Sequence, residues 1–182
     1  MAWLSEVLAE AELPFLYWLQ TLHTPVLDRL MTGISVLGNS GLCFILLGLV
    51  LLLFQKTRKA GLAVLLSLTA GFIIGNLGLK NLFLRERPCW IDETVPLLLA
   101  SPHDYSFPSG HSLAAFEAAV SVFLYYRRWG TGLLVFAAVM AFSRMYLFVH
   151  FPTDVLAGAL LGSLIALCVH RVLEKNNLEI EK

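Results

Sequence analysis

Charge is what this chain has least of. Only 14% of its 182 residues are Asp, Glu, Lys or Arg and 58% are hydrophobic, whereas a soluble domain carries about a quarter charged residues and roughly half apolar ones. That scarcity excludes an ordinary water-soluble globule and points to a bilayer. The formal net charge is zero, so no bulk field would draw nucleic acid or an acidic surface, and basic character that matters must be local. Cysteine is sparse as well. Cys43, Cys89 and Cys168 form no CxxC pair, which argues against a disulfide framework and a zinc site and leaves them as packing residues. The opening residues lack a basic stretch followed by a clean apolar core and carry Glu6, Glu10 and Glu12, so no cleaved signal peptide is expected.

Long hydrophobic runs, by contrast, are plentiful. Residues 60–79, 107–126, 131–149 and 154–172 each approach the ~20 helical residues that a hydrocarbon core of about 30 Å demands. A less regular run covers 35–54, with Gly38, Asn39, Ser40 and Gly41 loosening its first turns. Backbone groups in hydrocarbon must be satisfied within their own segment, so these runs read as helices. The expected fold is all-α: a polytopic transmembrane helical bundle of five or six spans. In residues 1–34 the glutamates, Pro14 and Pro25 interrupt the apolar positions. That segment reads as an N-terminal amphipathic helix at the interface rather than a sixth crossing. The transmembrane domain is then 35–175, followed by a polar cytoplasmic tail, 176–182.

Lys56, Arg58 and Lys59, then Arg127 and Arg128, then Arg171 and Lys175 fall on one side of a five-span arrangement, and the positive-inside rule makes that side cytoplasmic. The 80–107 connection and the turn at 150–154 face the other way, into the extracytoplasmic space of a multi-pass cell-membrane protein. Gly71 with Gly75, and Gly158 with Gly162, permit close helix contact. Internal packing is the expected use, and no oligomeric state follows.

Ionisable side chains in or beside a span are costly and call for a reason. Three groups lie on the same side. Lys80 and Arg87 are two helical turns apart and share a face if the helix persists to Pro88; two converging cations suit a phosphate, although snorkelling is the commoner use. Pro108-Ser109-Gly110-His111 opens a helix, where free backbone N–H groups bind anions, Ser109 adds a hydroxyl and His111 can move a proton. Arg144 brings a forked donor, and Asp154, four residues after His150, can orient the imidazole so that its other nitrogen is free to attack. A metal site would want further carboxylates or histidines, so no metal and no cofactor is expected. Lower-ranked polar residues are Arg85 and Glu86, which pair with each other or with headgroups. Asn76 reads as a packing hydrogen bond, and Glu117 as an interhelical hydrogen bond or a protonated carboxyl. His23, His103 and His170 read as structural or surface residues.

In order and spacing these groups resemble the signature of the type 2 phosphatidic acid phosphatase family: Lys, six residues, Arg-Pro; Pro-Ser-Gly-His; Ser-Arg, five residues, His, three residues, Asp. The resemblance covers about 60–172 and every position is filled. It implies a metal-independent two-step phosphatase acting on a membrane lipid phosphate. His150 would be the nucleophile that forms a phosphohistidine, Asp154 its orienter and His111 the acid and then the base. Lys80, Arg87, Ser109, the Gly110 amide and Arg144 would clamp the phosphoryl oxygens. Undecaprenyl diphosphate, phosphatidic acid and phosphatidylglycerol phosphate are the implied substrates to test. Two other functions compete. One is lipid-to-lipid phosphotransfer. The other is anion transport, which would need basic residues to continue towards the cytoplasmic side; they do not.

Overall fold

The fold is set by where glycine, proline and serine interrupt otherwise continuous apolar helix. The computed structural model describes the backbone of residues 2–180 and the side chains of 7–175, and these residues form helices and loops with no strand. The tail expected at 176–182 therefore lies outside the described side chains.

Helix α1 (Ala2–Gln20) buries Leu16 and Leu19 while Phe15 and Trp18 face outward. Thr24 caps α2 (Pro25–Leu37), its hydroxyl accepting from Leu27 N at 3.3 Å with Pro25 in the first turn. The segment expected as one stretch, 1–34, thus holds two helices, and the second runs past its boundary. Ser40 (φ 55) and Gly41 (φ 65) then take left-handed backbone and turn the chain into α3 (Leu42–Leu53), bent by 47° from α2.

A short turn leads to α4 (Arg58–Gly71), which continues without interruption through a π-helical stretch, Phe72–Leu79, into α5 (Lys80–Phe83). The helix does not persist to Pro88 as expected. Leu84, at φ 49, breaks it, Arg87 is extended, and Pro88 opens the single turn α6 (Pro88–Ile91) instead of closing the previous helix. A loop leads to α7 (Gly110–Tyr125), a one-residue break at Tyr126 to α8 (Arg127–Tyr146), and a tight turn to α9 (Pro152–Ile180).

Helix α7 is the axis of the bundle. It packs on α4, α8 and α9, antiparallel to α4, where Ser67 meets Ser121 at 3.2 Å, and parallel to α9. The second contact explains two glycines: a Cβ on Gly158 would stand 2.6 Å from Ser109 O, and one on Gly162 2.5 Å from Leu113 O. The small residues serve internal packing, as expected. Among the described residues three helical stretches are long and apolar enough to cross a membrane, Arg58–Ile91, Arg127–Tyr146 and Pro152–Lys175, and a fourth if the bent pair α2 and α3 counts as one. Helix α7, with 16 residues, is about 24 Å long and is enclosed by the others. The C-terminal end of α5, the start of α7, the end of α8 and the start of α9 meet at one end of the bundle. At the other end Tyr126 donates its hydroxyl to Lys56 O, and the Tyr125 and His170 rings touch.

Candidate active site

Six of the eight residues singled out from the sequence, Lys80, Arg87, Gly110, His111, Arg144 and His150, line one cavity of about 1130 Å³. Ser109 and Asp154 are fully buried behind its wall. The convergence is a product of helix ends: α5 brings Lys80, the N-terminus of α6 brings Arg87, the first turn of α7 brings His111, the last turn of α8 brings Arg144, and the α8–α9 turn brings His150.

His150 is the best-determined member. Arg87 Nη1, an obligate donor, lies 3.1 Å from His150 Nε2, so Nε2 carries a lone pair and the ring proton sits on Nδ1. That proton faces Ser106 Oγ at 3.4 Å and Asp154 Oδ2 at 3.6 Å. The second distance is longer than a hydrogen bond. Ser106 fills the gap by donating to Asp154 Oδ2, so Asp154 bears on the imidazole chiefly through a hydroxyl. Burial, followed by the positive charge of Arg87, Arg144 and Lys80, holds the His150 pKa well below the usual imidazole value. The neutral ring is the form able to attack.

Asp154 is held in turn. It accepts from Arg85 Nη1 at 2.6 Å and from Phe151 N at 2.9 Å. Arg85 also donates to Glu12 Oε2 at 2.6 Å, lies over the Phe151 ring at 4.2 Å, and bonds Thr153 Oγ1 at 2.7 Å. The pairing of Arg85 with Glu86 or with headgroups does not occur: Arg85 is a buried counter-ion to Asp154, bridging it to α1.

The cavity end is strongly cationic. Lys80, Arg87 and Arg144 are buried there, and Asp104 is the carboxylate that faces Lys80 and Arg87. Arg87 Nη2 donates to Asp104 Oδ1 at 2.8 Å and its Nε to the Asp104 main-chain oxygen at 2.6 Å. Burial alone would raise the Asp104 pKa, but Lys80 and Arg87 outweigh it and hold the carboxyl below its ordinary value. Three cations against one carboxylate leave an excess of two positive charges where an anion can sit. Arg144 bonds Ser35 Oγ through Nη1 while its Nε has no partner, so one donor is unused. Ser109 caps α7, accepting from Ser112 N at 3.5 Å and Ser112 Oγ at 3.1 Å, and its own N–H donates to Asp154 O at 3.1 Å. His111 Nε2 lies 3.1 Å from Ser35 O and 3.2 Å from Asn39 Oδ1, which fixes the ring on the wall.

Sequence reasoning missed Asp104, Ser106, Ser35 and Asn39, and ranked Arg85 too low. For Asp104 and Ser106 a signal existed, since both stand a few residues ahead of Ser109. Nothing in the spacing of Ser35 or Glu12 announces a partner so far along the chain.

The chain is similar in sequence and fold to known proteins. The PAP2 superfamily model matches residues 60–178. An undecaprenyl-diphosphatase of Sulfolobus acidocaldarius is 36% identical over 141 residues, 77% of this chain and 68% of that protein. Phosphatidylglycerophosphatase B of Bacillus subtilis is 33% identical over 170 residues, 85% of this chain and 79% of that one. The solved structure of a transmembrane PAP2-type phosphatidylglycerolphosphate phosphatase from Bacillus subtilis superimposes with a TM-score of 0.74 at 28% identity, covering 94% of this chain and 93% of the other.

Proposed function

The chain belongs to the PAP2 superfamily, and on that footing we propose that its cavity hydrolyses the phosphomonoester or diphosphate of a membrane lipid through a phosphohistidine on His150. It is a multi-pass membrane protein and a lipid phosphatase. The names of its relatives make undecaprenyl diphosphate and phosphatidylglycerol phosphate the first substrates to test, with phosphatidic acid beside them. The observation that carries the assignment is the His150 ring: buried, neutral, with its Nε2 lone pair turned towards Arg87 in a cavity that Lys80 and Arg144 also line, and its Nδ1–H towards Ser106 and Asp154.

The reaction then runs in two steps. A phosphoryl oxygen takes the place of His150 on Arg87 Nη1, and Lys80, Arg144 and the Gly110 amide hold the others. His150 Nε2 forms a bond to phosphorus as the bond to the lipid oxygen breaks, and His111 gives that oxygen its proton. Water next attacks phosphorus and yields its proton to His111, the N–P bond breaks, and phosphate leaves. Ser109 supports the clamp by holding the first turn of α7 rather than by lying on the cavity wall.

The support for five crossings is that α3, α4, α7, α8 and α9 alternate between the two ends of the bundle, with α1 and α2 near the site. Outward Phe15 and Trp18 suit an interfacial α1. Lys56, Arg127 and Arg128 lie away from the site, which favours an extracytoplasmic cavity. Phosphate release by the purified protein from the three lipids, with His150→Ala and His111→Ala alongside, tests the reading. Loss of release and of acid-labile phosphoprotein in His150→Ala is expected, and activity equal to wild type would refute it. Appearance of a newly phosphorylated lipid, seen by mass spectrometry, would identify transfer in place of hydrolysis.

A further inference from the structure

Glu117 stands mid-way along α7, only 1% exposed, and its side chain lines the same cavity as Lys80 and Arg144. A lone carboxyl in hydrocarbon is costly. Among the described residues it forms no ion pair, and its Oε1 is buried with no hydrogen-bond partner. The interhelical hydrogen bond expected of it is not made by that oxygen. Space has nonetheless been kept for it on both sides. A Cβ on Gly71 of α4 would overlap the carboxyl, and one on Gly162 of α9 would lie 3.3 Å from Glu117 Cγ. Two glycines thus make room for a side chain whose polar end is unused within the fold, at the edge of a cavity.

The depth of this group suggests its use. Glu117 is six residues beyond His111 on the same helix, or about 9 Å further from the phosphate end. Leu65, Leu68, Phe72 and Leu113 also line the cavity, Leu113 one turn before Glu117 and Phe72 next to the Gly71 that abuts it, the kind of wall that takes a lipid tail. A carboxyl in its neutral form offers an O–H donor. In a diacylglycerol phosphate the glycerol unit sets the ester carbonyls back from phosphorus towards that depth, whereas a polyprenyl chain has only hydrocarbon there.

We propose that Glu117 is a specificity residue, donating a hydrogen bond to an acyl ester carbonyl and thereby favouring acylated glycerol phosphates. The proposal rests on the reading that the cavity holds a lipid phosphate. Its test compares the full-length wild-type protein, Glu117→Leu and Glu117→Gln on three substrates presented in the same micelle: a diacylglycerol phosphate, its dialkyl ether counterpart without carbonyls, and a polyprenyl monophosphate. Loss of one buried hydrogen bond to substrate should lower kcat/KM of Glu117→Leu on the diacyl lipid about tenfold. The ether and polyprenyl lipids should stay within about twofold, which also shows that the variant is folded. Glu117→Gln, which keeps an N–H donor, should retain most of the diacyl activity. A fall of equal size on all three lipids, or none on the diacyl lipid, overturns the proposal. If instead wild type releases no more phosphate than His150→Ala from every lipid, the phosphatase reading itself falls, and the specificity assignment with it.

Discussion

Asp104 occupies the position where an anionic ligand has most to gain, and replacing it measures how strongly the site wants one. In Asp104→Asn the carboxylate that pairs with Lys80 and Arg87 is lost, while the 2.6 Å bond from Arg87 Nε to the Asp104 main-chain oxygen remains to hold the loop. The Asp104 side chain is 58% exposed, so each ion pair belongs near the exposed end of the scale, ~0.2–1 kcal/mol after solvent screening. Two such pairs together give about 0.5–2 kcal/mol, or roughly a 2- to 30-fold change in affinity at 1.36 kcal/mol per decade. An entering phosphate competes with this carboxylate, so the variant should bind inorganic phosphate or vanadate more tightly by that factor. The assay is the competitive inhibition constant of either anion against a lipid substrate. The pH dependence has a definite sign. The Asp104 pKa is below its ordinary value, so the carboxylate competes at full strength above that ordinary value, and the competition fades as pH falls through the lowered pKa. Wild type and variant should therefore converge at acid pH and differ most near neutrality. An inhibition constant that is unchanged or higher in Asp104→Asn would refute the reasoning, and would mean that Asp104 places the cations rather than fills the anion seat.

Three further outcomes are expected. Because the His150 pKa is held well below 6.5 by burial and by Arg87, Arg144 and Lys80, the acid limb of kcat/KM should lie below pH 6.5; a pH–rate profile with that limb at or above it contradicts the assigned neutral nucleophile. Ser106→Ala removes the hydroxyl between His150 Nδ1 and Asp154 and should lower kcat about tenfold with KM little changed, as for a hydrogen bond that matters to orientation; a change confined to KM would place Ser106 on the substrate instead. Arg85→Met leaves Asp154 buried without its counter-ion, which should cost about 3–5 kcal/mol and lower the unfolding temperature in detergent well beyond the shift from Arg128→Met at the opposite end.

The site was legible because hydrocarbon makes charge conspicuous. Lys80, Arg87, Arg144 and Asp154 each sit in or beside apolar helix, where a charge needs a reason, and all four meet at one end of the bundle, although Lys80 and Arg87 do so across the break at Leu84 and not on one helical face. Asp104 and Ser106 escaped because they lie in a loop between helices, where a polar side chain is unremarked until its partner is known. Arg85 escaped for a different reason: its partners, Glu12 and Asp154, lie 73 and 69 residues away, and adjacency to Glu86 offered an easier pairing. For the fold, apolar length located the helices, but the break at Leu84 depends on one left-handed residue in a sequence without glycine or proline there. The division of 2–53 into three helices depends on the turn that Thr24 and Pro25 close and on the left-handed turn at Ser40 and Gly41.

The π-helical stretch between α4 and α5 can be read as a matter of register. Such a segment is an α-helix holding an extra residue in its turns, so the chain from Arg58 to Phe83 contains slack at Phe72–Leu79 and none before it. Removing one residue from the slack would let the helix close into regular turns and leave Lys80 facing the cavity. Removing one from α4 would instead rotate everything beyond it by about 100° and point Lys80 away from Arg87 and Asp104. The aim of that lysine is thus insulated from length changes in one stretch of helix and tied rigidly to the length of the other.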